Sequence, residues 1–423
     1  MLDDMSATDP FLARYARGTK AMTASEIRAL FAVAARPEIV SLAGGSPHTA
    51  GLPFPELREL VDEVLATEGP TALQYGPGQG DPRAREVFTM LMSEEGIEAS
   101  PDDVVPTVGS QQALDLVARM FCDPGDVILA EGPSYVGALS AFSQYQVEVV
   151  HVPLDDGGLS PDALAATLDR LSAAGRHPKF LYTVPNFHNP AGVSMAEDRR
   201  DRVLDLARSH DVLVVEDNPY GLLGFDVETP PALRARDADN VVYLGTLSKI
   251  FCPGLRLGWA LVPPALRDRL VQVKEASDLS TSNLTQAIAY HYFTGFPWRE
   301  TLKSLREVYR ERRDATLEAL RETFPPEARW TEPEGGFYVW VRLPEPLDTK
   351  AMMPRALNAR VAYVPGRGFF ADGTGGNCLR LCYSFPRPDV IREGVHRLAG
   401  VLADELDLIR ALGALPRQQK GDR

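Results

Sequence analysis

"AEDRRDRVLDLARSHDVLVVED" (196–217) joins a helix pattern to a strand pattern without a break. Up to His210 the apolar residues Val203, Leu204 and Ala207 recur at helical spacing with charges elsewhere, which predicts an amphipathic helix. From Asp211 the run turns apolar and reads as a strand ending in two carboxylates, Glu216 and Asp217. The same alternation extends in both directions. Strand candidates are "DVVPTV" (103–108), "DVILAE" (126–131), "VEVVHV" (147–152), "KFLYTV" (179–184), "DVLVVED" (211–217), "NVVYLGT" (240–246) and "LGWALV" (257–262). Helix patterns such as "SQQALDLVARMF" (110–121) lie between them. Together they predict an α/β lobe, a seven-stranded, mainly parallel sheet between helices.

From about residue 264 helices dominate, ending in the charged segment "SLREVYRERRDATLEALRETF" (304–324), which Pro325 and Pro326 stop. The runs "GGFYVWVRL" (335–343), "VAYVP" (361–365) and "CLRLCYS" (378–384), followed by a helix from about 387 to 409, predict a smaller α+β lobe. The expected division is an N-terminal segment (1–55) packing with the small domain, a large cofactor-binding domain (56–298), a small domain (299–410) and a mobile tail (411–423).

A chain of 423 residues, 44% hydrophobic, is long enough for two lobes. Its formal charge of −14 and the lack of any Lys/Arg-rich run argue against a nucleic-acid partner. The opening "MLDDMSATDP" has neither the basic flank nor the apolar core of a leader, and no run approaches the roughly 18 apolar residues of a membrane span. A cytoplasmic protein is expected. The four cysteines are too few for a disulfide framework, and the seven histidines never pair at ligand spacing, so no metal is expected.

The chemistry gathers around "GTLSKIFCPGLRLGW" (245–259). Lys249 follows the strand "NVVYLGT", and catalytic groups of such sheets lie at the carboxyl ends of strands. Most lysines in loops are solvated charges, but this one has particular company. Thr246 and Ser248 offer hydroxyl donors to phosphate oxygens, and Arg256 offers a permanent two-donor clamp. A lysine near fixed cations in a water-poor site has its neutral amine favoured and can form a Schiff base, which is the pyridoxal phosphate arrangement. Ser110, Gln111 and Gln112 open a helix directly after a strand, so backbone N–H groups and the helix dipole point at an anion, although a serine N-cap explains the same residues. Arg380 lies in an apolar strand pattern, where a permanent charge is costly unless it meets an anion. "GPGQGD" (76–81) lacks the preceding strand and the glycine spacing of a dinucleotide loop, which argues against a nicotinamide site.

The order of "SLAGGSP" (41–47), "LQYGPGQG" (73–80), "TVGSQQALDL" (107–116), "PSYVGAL" (133–139), "VPNFHNPAG" (184–192), "VVEDNPY" (214–220), "GTLSKIFCPGLRLGW" and "LRLCYS" resembles fold-type-I, class I/II aminotransferases from about residue 23 to 409. The branch it resembles is that of 2-aminoadipate, kynurenine and aromatic aminotransferases. The resemblance implies pyridoxal 5'-phosphate as cofactor, amino-group transfer between an L-amino acid and a 2-oxo acid, and a homodimer with shared active sites. It implies that Lys249 bonds the cofactor, that Asp217 pairs with the ring nitrogen, and that Asn189 and Tyr220 contact the ring oxygen. It also implies that Tyr135 stacks on the ring, that Tyr75 reaches the phosphate of the neighbouring subunit, that Arg380 meets the substrate α-carboxylate, and that Asn189 and Gly45 also bind substrate. Arg28 would approach the distal end of the substrate, or else lie on a solvated helix face. Because strand side chains alternate, only one of Glu216 and Asp217 can face the site, and the family pattern selects Asp217. Two positions depart from the pattern: Ala191 replaces the threonine of Asn-Pro-Thr-Gly, and His188 stands where the branch often has glutamine.

Three rival functions are open at this point. A lyase or decarboxylase would use the same lysine and cofactor. A regulator with an aminotransferase-like domain would need a winged-helix region, for which a pattern beginning by about residue 23 leaves no room. A Schiff-base aldolase would not need the phosphate constellation of Thr246, Ser248 and Arg256.

Overall fold

Helix Glu197–Ser209 and strand Leu213–Asp217 form where the pattern places them in the computed structural model, which describes residues 9–21 and 36–412. Val203, Leu204 and Ala207 are buried with Arg200, while Asp201, Arg202, Asp205 and Arg208 face outward, so the stripe seats the helix on the sheet.

Near the N-terminus a short strand, β1 (Val40–Ser41), precedes the large lobe. The large sheet then contains β2 (Val104–Thr107), β3 (Val127–Gly132), β4 (Glu148–Asp155), β5 (Gly158–Leu159), β6 (Pro178–Thr183), β7 (Leu213–Asp217), β8 (Val241–Thr246) and β9 (Gly258–Leu261). Their order is β2-β9-β8-β7-β6-β3-β4-β5. The strands β4, β3, β6, β7 and β8 are mutually parallel, whereas β9 runs antiparallel to both β8 and β2. All seven expected runs lie in this sheet. The eighth strand, β5, pairs antiparallel with the end of β4 and is only two residues long, too short to leave an apolar run.

The smaller lobe carries β10 (Arg329–Trp330), β11 (Tyr338–Arg342), β12 (Val361–Ala362), β13 (Val364–Pro365) and β14 (Cys378–Cys382). The order β10-β11-β14-β13 forms an antiparallel sheet. The run "VAYVP" is therefore not one strand. β12 pairs in parallel with β1, and after Tyr363 the chain passes to β14 as β13. Tyr363 marks the change with a buried side chain whose hydroxyl donates to the Thr349 carbonyl at 2.6 Å. The β1–β12 ladder, extended by the Cys382 amide donating to the Leu42 carbonyl at 2.8 Å, lays residues 40–42 against this lobe. Helix Trp298–Thr323 packs along helix Pro388–Ala411. No described helix is long and apolar enough to cross a membrane.

The parallel strands β3, β6, β7 and β8 end on one edge of the sheet, and Tyr135, Asn189, Asp217 and Lys249 sit at or just beyond those ends. β3 and β6 are neighbours, but the chain leaves β3 toward β4 on one side and leaves β6 toward β7 on the other, so the connections diverge between them. Such a reversal opens a crevice beyond the carboxyl ends.

Candidate active site

A cavity of about 680 Å³ occupies that crevice, and Lys249 lies in its wall. The lysine Nζ donates to the Gly45 carbonyl at 3.0 Å and lies 5.5 Å from the centre of the Phe337 ring. Burial, with the guanidinium charges of Arg380 and Arg256, pulls the amine down to about 8 from an ordinary 10.5. Roughly a tenth of this amine is then neutral and nucleophilic at pH 7, hundreds of times more than at the ordinary value.

Asp217 ends β7 with its side chain in the cavity. Its Oδ2 accepts from the Tyr182 hydroxyl at 2.9 Å, while its Oδ1 is buried without a partner. Burial holds this carboxyl up at about 7. Glu216 faces the other way and accepts from the Leu233 and Arg234 amides at 3.0 and 2.8 Å, as strand alternation requires.

Thr246, Ser248 and Arg256 come together at one end of the cavity. Ser248 Oγ accepts from Thr246 Oγ1 at 3.0 Å and from Arg256 Nη1 at 3.5 Å. The helix Ser110–Phe121 starts beside them, with Ser110 and Gln111 lining the cavity. The serine does not cap this helix. Gly109 holds the cap position at φ +76°, and a Cβ there would lie 2.7 Å from Arg256 Nη2. Glycine thus satisfies both the backbone conformation and the approach of the arginine. Gln112 turns away from the cavity, accepting from the Val108 amide at 2.7 Å and donating to Asp278 at 2.7 Å. Gln112 lies about 100° further round the helix than Gln111, on the side that faces Asp278. Gln111 instead serves the cavity, accepting from the Tyr135 hydroxyl at 3.3 Å.

Arg380 also lines the cavity and is 4% exposed. Its Nη1 donates to Asn189 Oδ1 at 3.0 Å and its Nη2 to the Ala43 carbonyl at 2.8 Å, while its Nε is buried without a partner. The described residues give it no carboxylate. A buried guanidinium held by neutral acceptors, with a donor to spare, suits an external anion. Tyr220 is buried in the wall, with its hydroxyl raised well above its ordinary pKa by burial. Tyr75 lies outside this cavity and is 80% exposed. Arg28 falls outside the described residues.

The loop bearing Asn189 keeps its turn with His188 and Ala191 in place. The Gly192 amide donates to the His188 carbonyl at 2.6 Å, the Ala191 amide donates to His188 Nδ1 at 3.2 Å, and His188 Nε2 lies 3.1 Å from Glu131.

A family profile described as aminotransferase class I and II matches residues 37–398. The chain belongs to this family. The aminotransferase is 43% identical to aromatic-amino-acid aminotransferase 1 of Thermococcus litoralis, over 91% of this chain and 93% of that one. It is 39% identical to the structure of the Pyrococcus horikoshii kynurenine aminotransferase in complex with PMP, with a TM-score of 0.89 over 96% and 99% of the two chains. It is 38% identical to LysN, the alpha-aminoadipate aminotransferase of Thermus thermophilus, solved with N-(5'-phosphopyridoxyl)-L-leucine, with a TM-score of 0.87 over 95% and 100%.

The cofactor of this aminotransferase is pyridoxal 5'-phosphate, and the donor set fits it. The unpartnered Asp217 Oδ1 suits a protonated ring nitrogen, the Ser110, Ser248 and Arg256 corner suits a phosphate, and the depressed Lys249 amine suits an aldehyde. Sequence reasoning missed Tyr182, which holds Asp217, and Tyr338, whose ring lies 4.3 Å beneath the Arg380 guanidinium. Each is an aromatic residue inside an apolar strand run, indistinguishable there from packing. Only the carboxylate or guanidinium on the neighbouring strand gives them away.

Proposed function

We propose that this aminotransferase acts on L-amino acids of the 2-aminoadipate, glutamate, aromatic or aliphatic type, with a 2-oxo acid as second substrate. The observation carrying this proposal is Arg380, a buried arginine in the cavity lining with an unpartnered Nε. It takes the substrate α-carboxylate, with Asn189 and Gly45 lining the same wall. The aromatic, kynurenine and alpha-aminoadipate relatives support this range of side chains.

Bound pyridoxal phosphate supplies the electron sink that stabilises negative charge at the substrate α-carbon. Lys249 is the covalent anchor in the resting enzyme, and its freed amine moves the proton to and from the α-carbon. Asp217, its Oδ2 held by Tyr182, keeps the ring nitrogen protonated. Tyr220 and the amide of Asn189 bind the ring oxygen, Tyr135 covers the ring, and Thr246, Ser248, Arg256, Ser110 and Gln111 hold the phosphate. Gln112 supports the start of that helix from outside. Arg28 is assigned to the distal end of the substrate.

The functional unit is a homodimer with shared active sites, acting in the cytoplasm. Tyr75, exposed and outside its own cavity, supports this as the residue that reaches the partner's phosphate. The division near residues 55 and 298 into N-terminal segment, large domain and small domain belongs to the same proposal.

A half-reaction screen tests the substrate range. Each amino acid is added alone to the holoenzyme and the cofactor absorbance is followed. Conversion with 2-aminoadipate, glutamate, phenylalanine or leucine, and recovery on adding a 2-oxo acid, is expected. Continuous turnover with an amino acid alone would contradict it and point to elimination or decarboxylation.

A further inference from the structure

Tyr338 touches three parts of the site at once. It is 2% exposed, on β11, the strand paired with the one that bears Arg380. Its ring lies under the Arg380 guanidinium at 4.3 Å, and Phe369 approaches the same guanidinium at 5.2 Å. Its hydroxyl accepts from the Tyr220 hydroxyl at 3.4 Å. It also packs on Gly45 so closely that a Cβ at that position would lie 2.5 Å from the phenolic oxygen. The carbonyl of Gly45 is the acceptor of Lys249 Nζ.

On the assignment above of Arg380 to the α-carboxylate and Tyr220 to the cofactor's ring oxygen, we propose that Tyr338 is a positioning residue with two separable tasks. The ring fixes the plane of the guanidinium. Arg380 has no carboxylate partner among the described residues, so the aromatic face is the counterweight that holds its fork toward the substrate. The hydroxyl governs Tyr220. A tyrosine has one proton to donate, so when Tyr220 gives it to the ring oxygen, Tyr338 must become the donor to Tyr220. The resulting chain polarises Tyr220 and strengthens its donation. A stronger donor at the ring oxygen withdraws electron density and eases loss of the proton shared with the lysine nitrogen.

Two holoenzyme variants separate the tasks. Tyr338→Phe keeps the ring and removes the hydroxyl. The pH midpoint of the cofactor absorbance change is expected to rise by on the order of a few tenths of a pH unit, with KM for the amino acid within about twofold of wild type. Tyr338→Leu removes both, and KM is expected to rise roughly 5- to 10-fold in addition to the midpoint shift. Cofactor content and the melting transition of each variant report whether it is folded, and Tyr338→Phe carries the decisive comparison if Tyr338→Leu is not. An unchanged midpoint in Tyr338→Phe would overturn the hydroxyl task, and equal KM in folded Tyr338→Leu and Tyr338→Phe would overturn the ring task. An Arg380→Ala or Tyr220→Phe variant that leaves KM or the midpoint unmoved would instead remove the underlying assignment, which keeps the two failures distinct.

Discussion

Tyr182 donates its hydroxyl to one oxygen of Asp217 at 2.9 Å, and the other oxygen of that carboxylate is left buried with nothing to bond. The tyrosine fixes which way the carboxylate faces, and the free oxygen is an unmet acceptor that a protonated ring nitrogen would complete on the proposed assignment. Cofactor binding thus relieves a cost already present in the folded protein.

That cost has a pH dependence in the cofactor-free enzyme. Burial raises the Asp217 carboxyl from 3.8 to about 7. A raised carboxyl favours the folded state while protonated, so its contribution is complete below 3.8 and is lost as pH rises through about 7. Wild-type apoenzyme is expected to lose more melting temperature between about pH 5 and about pH 8 than Asp217→Asn, which has no such carboxyl, by a few degrees. Parallel curves for the two proteins, measured by calorimetry, would contradict the assignment.

Lys249 gives a second pH signature. Its amine is drawn down to about 8, chiefly by burial. The rate at which apoenzyme takes up pyridoxal phosphate, followed by absorbance, should rise with pH to a midpoint near 8 rather than near the ordinary 10.5. Since the neutral amine is the reactive form, a rate that falls over this range would be inconsistent with attack by Lys249.

At Gly109 an alanine would be strained by φ +76° and would place its Cβ 2.7 Å from Arg256 Nη2. The backbone strain costs about 1–3 kcal/mol of stability, and displacement of the Arg256 fork from the phosphate corner should weaken cofactor affinity roughly 10-fold. Retention of cofactor on dialysis, compared with wild type, reads this directly.

Arg380 is held by an amide oxygen and a backbone carbonyl and keeps Nε free. Arg380→Lys preserves the charge but not the planar fork, and KM for amino acids should rise about 10-fold or more with a smaller change in kcat. Steady-state kinetics on an aromatic and an acidic substrate should show the same rise for both, because both present the same α-carboxylate.

Much of this architecture can be read before folding. Six of the seven longer strands of the large sheet announce themselves as apolar runs because both their faces are covered, β4 is apolar in sequence though only partly buried, and Lys249, Asp217 and Arg380 are chemically conspicuous in their places. What escapes notice depends on geometry that pattern does not carry. β5 is two residues long, and "VAYVP" divides at Tyr363 because its halves have different partners. Gln112 follows Gln111 in sequence but not in direction, and the glycine before Ser110, not the serine, meets the backbone demand at the helix start. Tyr182 and Tyr338 act through residues more than 30 positions away in the chain, at Asp217 and Arg380.

The chemistry of the site depends on Lys249 being the covalent and proton-moving residue of a pyridoxal phosphate aminotransferase. Borohydride reduction of the holoenzyme, followed by peptide mass spectrometry, tests it most directly. The phosphopyridoxyl mass is expected on the peptide containing Lys249, and its loss in Lys249→Ala together with a fall in turnover of at least about 10²–10⁴-fold. Label on a different lysine in the wild-type protein, or near-normal turnover by Lys249→Ala, would contradict it.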